Sequence, residues 1–135
     1  MRRIILAFFA IALSIQLGGC LPTINLANEV NLNTTQGLVA GYGILVNQEN
    51  LLKSQPLCLT GTKPSITNIC VPRSLIVRLQ TGTAIAQKAI NSAVAFEKAH
   101  PTVDPTQYIS AASDALLAVQ TIYNSAATSG GQIGS

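Results

Sequence analysis

Apolar residues recur at helical spacing in three long stretches of the chain, and no stretch alternates strictly enough to predict a β-strand. The first stretch extends from about residue 28 to residue 54. Gly37 and Gly41 lie one helical turn apart in it, and they predict a smooth patch that lets another helix approach closely. The predicted buried face of this stretch contains Leu38, Tyr42, Leu45, Glu49 and Leu52.

The second and third stretches have defined ends. The second lies between Pro72, which a first helical turn accepts, and Pro101. Its predicted buried face contains Leu75, Leu79, Ala86, Ile90 and Ala93. The third begins with Asp104 as N-cap, Pro105 at the first helical position and Gln107 completing a capping box, and a pair of glycines stops it. Its predicted buried face contains Ile109, Ala112, Leu116, Val119, Tyr123 and Ala126.

The three predicted helices have similar lengths, roughly 35 to 40 Å at 1.5 Å per residue, and such helices pack side by side. We therefore expect an all-α fold, a three-helix antiparallel bundle that runs up, down and up. Residues 28–128 would form this helical domain, and residues 129–135 a flexible tail. Residues 56–71 leave a second interpretation, a short strand pair, which Gly61 and Pro64 disfavour.

The first twenty residues have the parts of an export signal. Arg2 and Arg3 precede an apolar run that is shorter than the roughly twenty residues of a membrane-spanning helix. The run ends in the four residues Leu17, Gly18, Gly19 and Cys20. This ending resembles the lipobox of bacterial lipoproteins, which has an aliphatic residue three places before a cysteine and small residues between them.

The resemblance implies that residues 1–19 are removed and that Cys20 is lipidated, with palmitate among its acyl chains. Residues 20–27 would then form a linker to the membrane. The residue after the cysteine influences sorting in this family, and Leu21 implies the periplasmic face of the outer membrane in a Gram-negative host. Two other interpretations are an uncleaved anchor, which Pro22 and Asn25 disfavour, and cleavage by the ordinary signal peptidase.

Loss of the signal changes the charge of the molecule. Of the 135 residues, 116 would remain, which suits one domain. The whole chain has eight basic and five acidic residues, but the signal contains two of the basic ones, so the mature net charge is +1. The remaining basic residues are spread along the chain without interleaved aromatic residues, so we expect no nucleic acid as partner. We also expect no cofactor, since the fragment from Gly37 to Gly43 lacks the preceding strand that a phosphate loop needs.

Two cysteines, Cys58 and Cys70, remain once Cys20 is lipidated. Gly61 and Pro64 lie between them, so the two thiols belong to a loop and not to successive turns of one helix. In an oxidising compartment we expect a disulfide, which would contribute roughly 3 kcal/mol by closing this loop. The alternatives are two buried thiols and a metal site, and the latter would need a histidine nearby.

The crosslinked loop is also a candidate contact surface. If the first helix leads away from Cys20, the loop lies at the membrane-distal end. Helix connections of roughly seventeen residues exceed the usual length and are commonly functional. We expect Thr60, Thr62, Lys63 and Ser65 to contact a protein partner; the alternative is that the disulfide only stabilises a small core.

The favoured function is that of a non-enzymatic, lipid-anchored envelope module that binds another envelope protein or itself. In size and signal the chain is similar to small lipoproteins carried by prophages, and a structural subunit of a larger envelope complex is a second interpretation. The alternative from another class is a metal-dependent or hydrolytic enzyme that uses His100 and nearby carboxylates. Glu97 and His100 have the spacing of di-iron bundles without the second pair that those sites need, and no nucleophile elbow accompanies Asp104 or Asp114.

Overall fold

The computed structural model describes residues 21–64 and 70–131 of the chain. These ranges contain four helices: α1, Leu26–Glu29; α2, Thr35–Lys53; α3, Arg73–Ala99; and α4, Thr106–Gly131. They contain no β-strand, and Leu57 and Val71 form a single isolated bridge where a strand pair was the second interpretation. The predicted all-α class and the disulfide between Cys58 and Cys70 are therefore confirmed.

The first predicted helix is divided in two. The four-residue helix α1 ends at Glu29, and α2 begins only at Thr35. Thr34 has an extended backbone, and its hydroxyl oxygen accepts a hydrogen bond from the N–H of Gly37 at 3.1 Å. This N-cap supplies an acceptor for an amide that has no partner inside the helix, and it fixes the start of α2.

Both ends of α3 and the start of α4 agree with the prediction to within one residue. The predicted end of α4 is wrong, because the helix continues through the glycine pair to Gly131 and includes the first three residues of the expected tail. His100 ends α3 by donating its backbone N–H to the carbonyl oxygen of Phe96 at 2.9 Å. Before α4, Asp104 Oδ1 accepts the backbone N–H of Thr106 at 2.9 Å and also its hydroxyl. The residue that joins Asp104 in this cap is therefore Thr106, because its N–H and hydroxyl both point at the carboxylate, and not the predicted Gln107.

Each long helix buries the face that its apolar periodicity predicts, and the three faces form one core. Burial of a leucine-sized side chain contributes about 1.5 to 3 kcal/mol, so packing of these faces, more than helix propensity, holds the helices together. The largest fully buried side chains of the long helices are Leu38, Leu52, Leu79, Leu116, Val119 and Tyr123.

One carboxylate lies inside this core. Glu49 is 5% exposed, accepts a hydrogen bond from the hydroxyl of Thr83 at 2.8 Å, and pairs with Lys53 one turn further along α2. A buried carboxylate without partners would cost several kcal/mol, and these two contacts offset that cost. The bond to Thr83 also links α2 to α3 at a defined position.

Contacts between helices show how positions along them correspond. From one contact to the next, the residue numbers of α2 and α4 rise together, whereas the residue numbers of α3 fall as those of α4 rise. The contacting pairs of α2 and α4 are Gly41 with Leu116 and Gln48 with Tyr123. The contacting pairs of α3 and α4 are Gly82 with Val119 and Phe96 with Tyr108.

The N-terminal strap, residues 21–33, packs beside α4 before α2 begins. Asn124 Oδ1 accepts the N–H of Ile24 at 2.8 Å, and its Nδ2 donates to the carbonyl oxygen of Ile24 at 2.7 Å. Gln120 Oε1 accepts the N–H of Leu26 at 2.7 Å, and the Leu26 side chain is fully buried. Residues 21–27, expected to be part of a membrane linker, are therefore fastened to the folded body.

The strap then continues toward the N-terminal end of α4. A methyl group added at Gly41 would lie 3.3 Å from the side chains of both Val30 and Leu32, and 3.5 Å from that of Leu116. The smooth patch predicted at Gly37 and Gly41 is therefore covered mainly by the strap. The expected close contact with another helix is limited there to Leu116.

Candidate binding surfaces

The stapled-loop end comprises residues 54–64 and 70–72 with the adjoining ends of α2 and α3. The disulfide joins its two sides, with the Cα atoms of Cys58 and Cys70 4.8 Å apart. The N–H of Val71 donates to the carbonyl oxygen of Pro56 at 2.9 Å, and the N–H of Cys58 donates to that of Val71 at 3.1 Å. These bonds hold the base of the loop in place.

Beyond this base the loop carries exposed leucines. Leu59 is 77% exposed and Leu57 is 46% exposed. Thr62 donates both its N–H and its hydroxyl to the carbonyl oxygen of Leu59, at 2.9 and 2.7 Å. Gly61 lies inside this turn with a φ of +83°, a conformation that side chains of L-residues rarely adopt. The turn therefore fixes the backbone of Leu59, and the side chain of this residue is exposed.

The predicted partner-contact residues are only partly described. Thr60, Thr62 and Lys63 are exposed in the loop. Ser65 and the predicted lipidation site Cys20 lie outside the described residues. None of the helices within the described ranges is long and apolar enough to cross a bilayer.

The stapled loop lies at the same end of the molecule as the start of the strap, whereas the sequence predicted that it lies at the opposite end. The strap begins at the level of Asn124, near the C-terminal end of α4, and α2 reaches that level again at Gln48. The segment that follows Cys20 therefore enters at the stapled-loop end. The prediction that the loop is membrane-distal is therefore wrong for an anchor at Cys20. It assumed that the first helix leads directly away from the anchor, whereas the strap runs in that direction and α2 runs back toward the end where the chain enters.

The aromatic end lies at the other end of the helices and comprises Phe96, His100, Val103, Asp104 and Tyr108. The ring of Phe96 stacks on Tyr108 with the ring centroids 4.3 Å apart, and it lies 4.9 Å from the ring of His100. Val103 is 51% exposed and Tyr108 is 40% exposed. Exposed aromatic side chains held by packing are typical of protein contact sites.

Charged residues are divided unequally between these ends. The stapled-loop half has four basic residues and one acidic residue, a net charge of +3: Lys53, Lys63, Arg73, Arg78 and Glu49. The half near the aromatic end has three acidic residues and one basic residue, a net charge of −2: Glu97, Asp104, Asp114 and Lys98. Lys88 and Glu29 lie between the two groups. The described part of the chain is therefore electrically polar although the sum of these charges is only +1.

Two of the residues that a catalytic site would use, according to the enzyme interpretation, lie at helix ends and have structural roles there. His100 ends α3, and Asp104 caps α4, where the hydrogen bonds from Thr106 lower the pKa of its carboxyl group. Glu97 and Asp114 are exposed. Across the part of the chain that the structure describes, no three His, Cys, Asp or Glu side chains are grouped as a metal site requires.

A shallow groove of about 600 Å³ lies between the strap and α4. Glu29 is the only ionisable residue among those that line it, and the others carry amide, hydroxyl or apolar groups. A single carboxylate does not make the acid–base pair that hydrolysis commonly uses. The groove therefore presents hydrogen-bonding groups and one carboxylate.

Sequence reasoning missed Gln120 and Asn124, which bind the strap. Both amides lie four residues apart on α4, directly after the core residues Val119 and Tyr123. Amides at the edge of a buried face commonly satisfy a neighbouring backbone, so their spacing was a usable signal for an additional segment packed on α4.

Comparisons with known proteins gave no relatives: no protein-family model, no curated protein and no solved structure matches the chain. The basis for a proposed function is therefore the predicted signal sequence together with the geometry of the two ends.

Proposed function

We propose that the protein is a small lipoprotein of the cell envelope that acts by binding and not by catalysis. Its signal would be removed before Cys20, and the acylated cysteine would hold the mature chain on the membrane. The main support for this proposal is the strap, in which residues that follow Cys20 are hydrogen-bonded to α4 at Ile24 and Leu26. A lipid at Cys20 would therefore be attached to a structured end of the body and not to a loose tail.

The same proposal includes the architecture, a three-helix antiparallel bundle that runs up, down and up. The parallel correspondence of α2 with α4 and the opposite correspondence of α3 with α4 support it. The bond between Glu49 and Thr83 adds a contact between α2 and α3. In this arrangement the stapled-loop end and the aromatic end are the two ends of the bundle.

We propose the aromatic end as the surface that binds a protein partner. With the anchor at the stapled-loop end, the aromatic end is the part farthest from the bilayer. Val103 and Tyr108 supply exposed apolar area there, and the partner is another envelope protein or a second copy of this chain. Leu21, directly after the acylated cysteine, supports the periplasmic face of the outer membrane as the location in a Gram-negative host.

The anchor is tested by mass analysis of the mature N-terminus in protein purified from membranes. We expect a chain that begins at acylated Cys20, and we expect the Cys20→Ser variant to lack the lipid and to remain unprocessed. A soluble chain that begins at Met1 and carries no fatty acid would contradict the proposal.

The partner surface is tested by affinity capture of the tagged protein from gently solubilised membranes. The double variant Val103→Ser and Tyr108→Ser should lose a captured protein or a second, differently tagged copy. Ile85→Ser is the matched control, because Ile85 is exposed on α3 away from both ends. Identical capture by the double variant and the control would remove the aromatic end as the contact surface.

A further inference from the structure

The stapled-loop end is also the end at which the chain enters the folded body. Ile24 is fixed at the level of Asn124, and Cys20 precedes Ile24 by four residues. Four residues span at most about 14 Å when fully extended. Whatever is attached to Cys20 is therefore held close to this end of the helices.

The leucines at this end are exposed on a loop that a disulfide and backbone hydrogen bonds connect to the folded body. The disulfide and the bonds between residues 56, 58 and 71 hold the base of the loop, and the turn at Thr62 fixes the backbone of Leu59. Leu59 has the highest exposure among the large apolar side chains that are exposed in the described ranges. Because the backbone beside Leu59 is already held, its entry into an apolar environment costs less backbone freedom than it would from an unbonded loop.

The charge beside these leucines is positive. Arg73 and Arg78 are exposed at the start of α3, and Lys53 shares the buried carboxylate of Glu49. Basic residues next to exposed apolar residues match the anionic headgroups and the acyl boundary of a bilayer. The net negative charge near the aromatic end favours the orientation in which that end is turned away from the same surface.

We propose that the stapled-loop end rests on the membrane surface, with Leu57 and Leu59 at the acyl boundary and Arg73 and Arg78 against anionic headgroups. This proposal rests on the proposed lipid anchor at Cys20. It adds a second attachment, made by the folded domain, which fixes the direction of the helices relative to the bilayer. The occupant of this surface is therefore an anionic lipid bilayer, and not the protein partner expected from the sequence.

The absence of tryptophan from the chain makes the orientation measurable. Leu59→Trp supplies a single fluorescent reporter in the loop, and Val103→Trp supplies its matched control at the aromatic end. The acylated protein is incorporated into phosphatidylcholine vesicles, with and without phosphatidylglycerol, that contain lipid with brominated acyl chains. We expect blue-shifted and strongly quenched emission from Leu59→Trp in the anionic vesicles, and little quenching of Val103→Trp.

A second comparison isolates the contribution of charge. Arg73→Gln combined with Arg78→Gln should reduce the quenching of Leu59→Trp, because each cation beside an anionic leaflet changes such an equilibrium about five-fold. Lys88→Gln combined with Lys98→Gln is the control, since these lysines lie away from the stapled-loop end. Circular dichroism of each variant verifies that the helices are retained.

Flotation of the vesicles separates the failure of this proposal from the failure of the anchor. If the protein floats with the vesicles and Leu59→Trp is quenched no more than Val103→Trp, the membrane contact is overturned while the anchor stands. In that case the exposed leucines of the loop would be available to contact a protein. If the protein does not float, the anchor fails, and the membrane contact fails with it.

Discussion

Gly37 and Gly43 lie six residues apart in α2 and have opposite surroundings. A Cβ at Gly37 would lie 1.7 Å from the carbonyl oxygen of Asn31, whereas a Cβ at Gly43 would have nothing within 4 Å. In an open helical position alanine is favoured over glycine by up to about 1 kcal/mol. The two sites therefore separate the intrinsic preference for alanine from the cost of a steric conflict.

Replacement of each glycine should have opposite effects on stability. Gly43→Ala is expected to raise the free energy of unfolding by about 0.5 to 1 kcal/mol, because it lowers backbone entropy in the unfolded chain. Gly37→Ala is expected to lower it by more than this amount, because the backbone of the strap must move. Urea unfolding followed by circular dichroism measures the unfolding free energy of both variants. Changes of the same sign would contradict the steric conflict inferred at Gly37.

Tyr123 links stability to alkaline pH. Its side chain is 1% exposed, and burial raises the pKa of its phenol above the ordinary value of 10.0. The unfolded chain therefore loses this proton at lower pH than the folded protein does. The stability that the neutral phenol contributes is fully present below about pH 10 and declines as the pH rises beyond it.

Tyr123→Phe should remove this dependence. We expect the wild-type protein to lose more of its unfolding free energy than Tyr123→Phe between about pH 8 and about pH 11. Tyr42 and Tyr108 are present in both proteins, so the difference between the two profiles reports on Tyr123 alone. Parallel profiles would show that the buried phenol does not resist ionisation.

At the scale of elements, the strap depends on contacts that are far apart in sequence. Ile24 and Asn124 are separated by 100 positions, and Leu26 and Gln120 by 94. Each backbone group that these amides satisfy would otherwise need water or another partner. The strap is therefore stabilised by two residues of α4 in addition to its own apolar side chains.

Asn124→Ala should loosen the strap. The variant leaves the N–H and the carbonyl of Ile24 without their partners, and we expect a loss of about 1 to 3 kcal/mol in unfolding free energy. Hydrogen exchange at Ile24 and Leu26 should accelerate before that of the long helices. Asn91→Ala, on the exposed side of α3, is the control, and an equal effect from both variants would contradict this role for Asn124.

These large separations along the sequence explain which features could be predicted from it and which could not. The buried faces of α2, α3 and α4 follow from apolar spacing within one helix, and even Glu49 was placed correctly on the buried face of α2. The strap could not be predicted in this way, because α1 has only four residues and is stabilised from α4. The expected orientation of the stapled loop failed for the same reason, since it depends on the direction of the strap.

At the scale of the whole molecule, the disulfide holds the connection between α2 and α3. Reduction, or the double variant Cys58→Ser and Cys70→Ser, should lower the unfolding free energy by roughly 3 kcal/mol through the greater entropy of the unfolded chain. The measurement is urea unfolding with and without reductant. The double variant should be insensitive to reductant, and unchanged stability of the wild-type protein on reduction would contradict the prediction.

The short distance from Cys20 to the strap also limits how far the protein can reach. α3 has 27 residues, which corresponds to a height of about 40 Å. With an anchor at Cys20, almost no slack chain is available to extend this height. A protein met by the aromatic end must therefore come within roughly that distance of the same bilayer, so its partners would be residents of that membrane or proteins that bridge toward it.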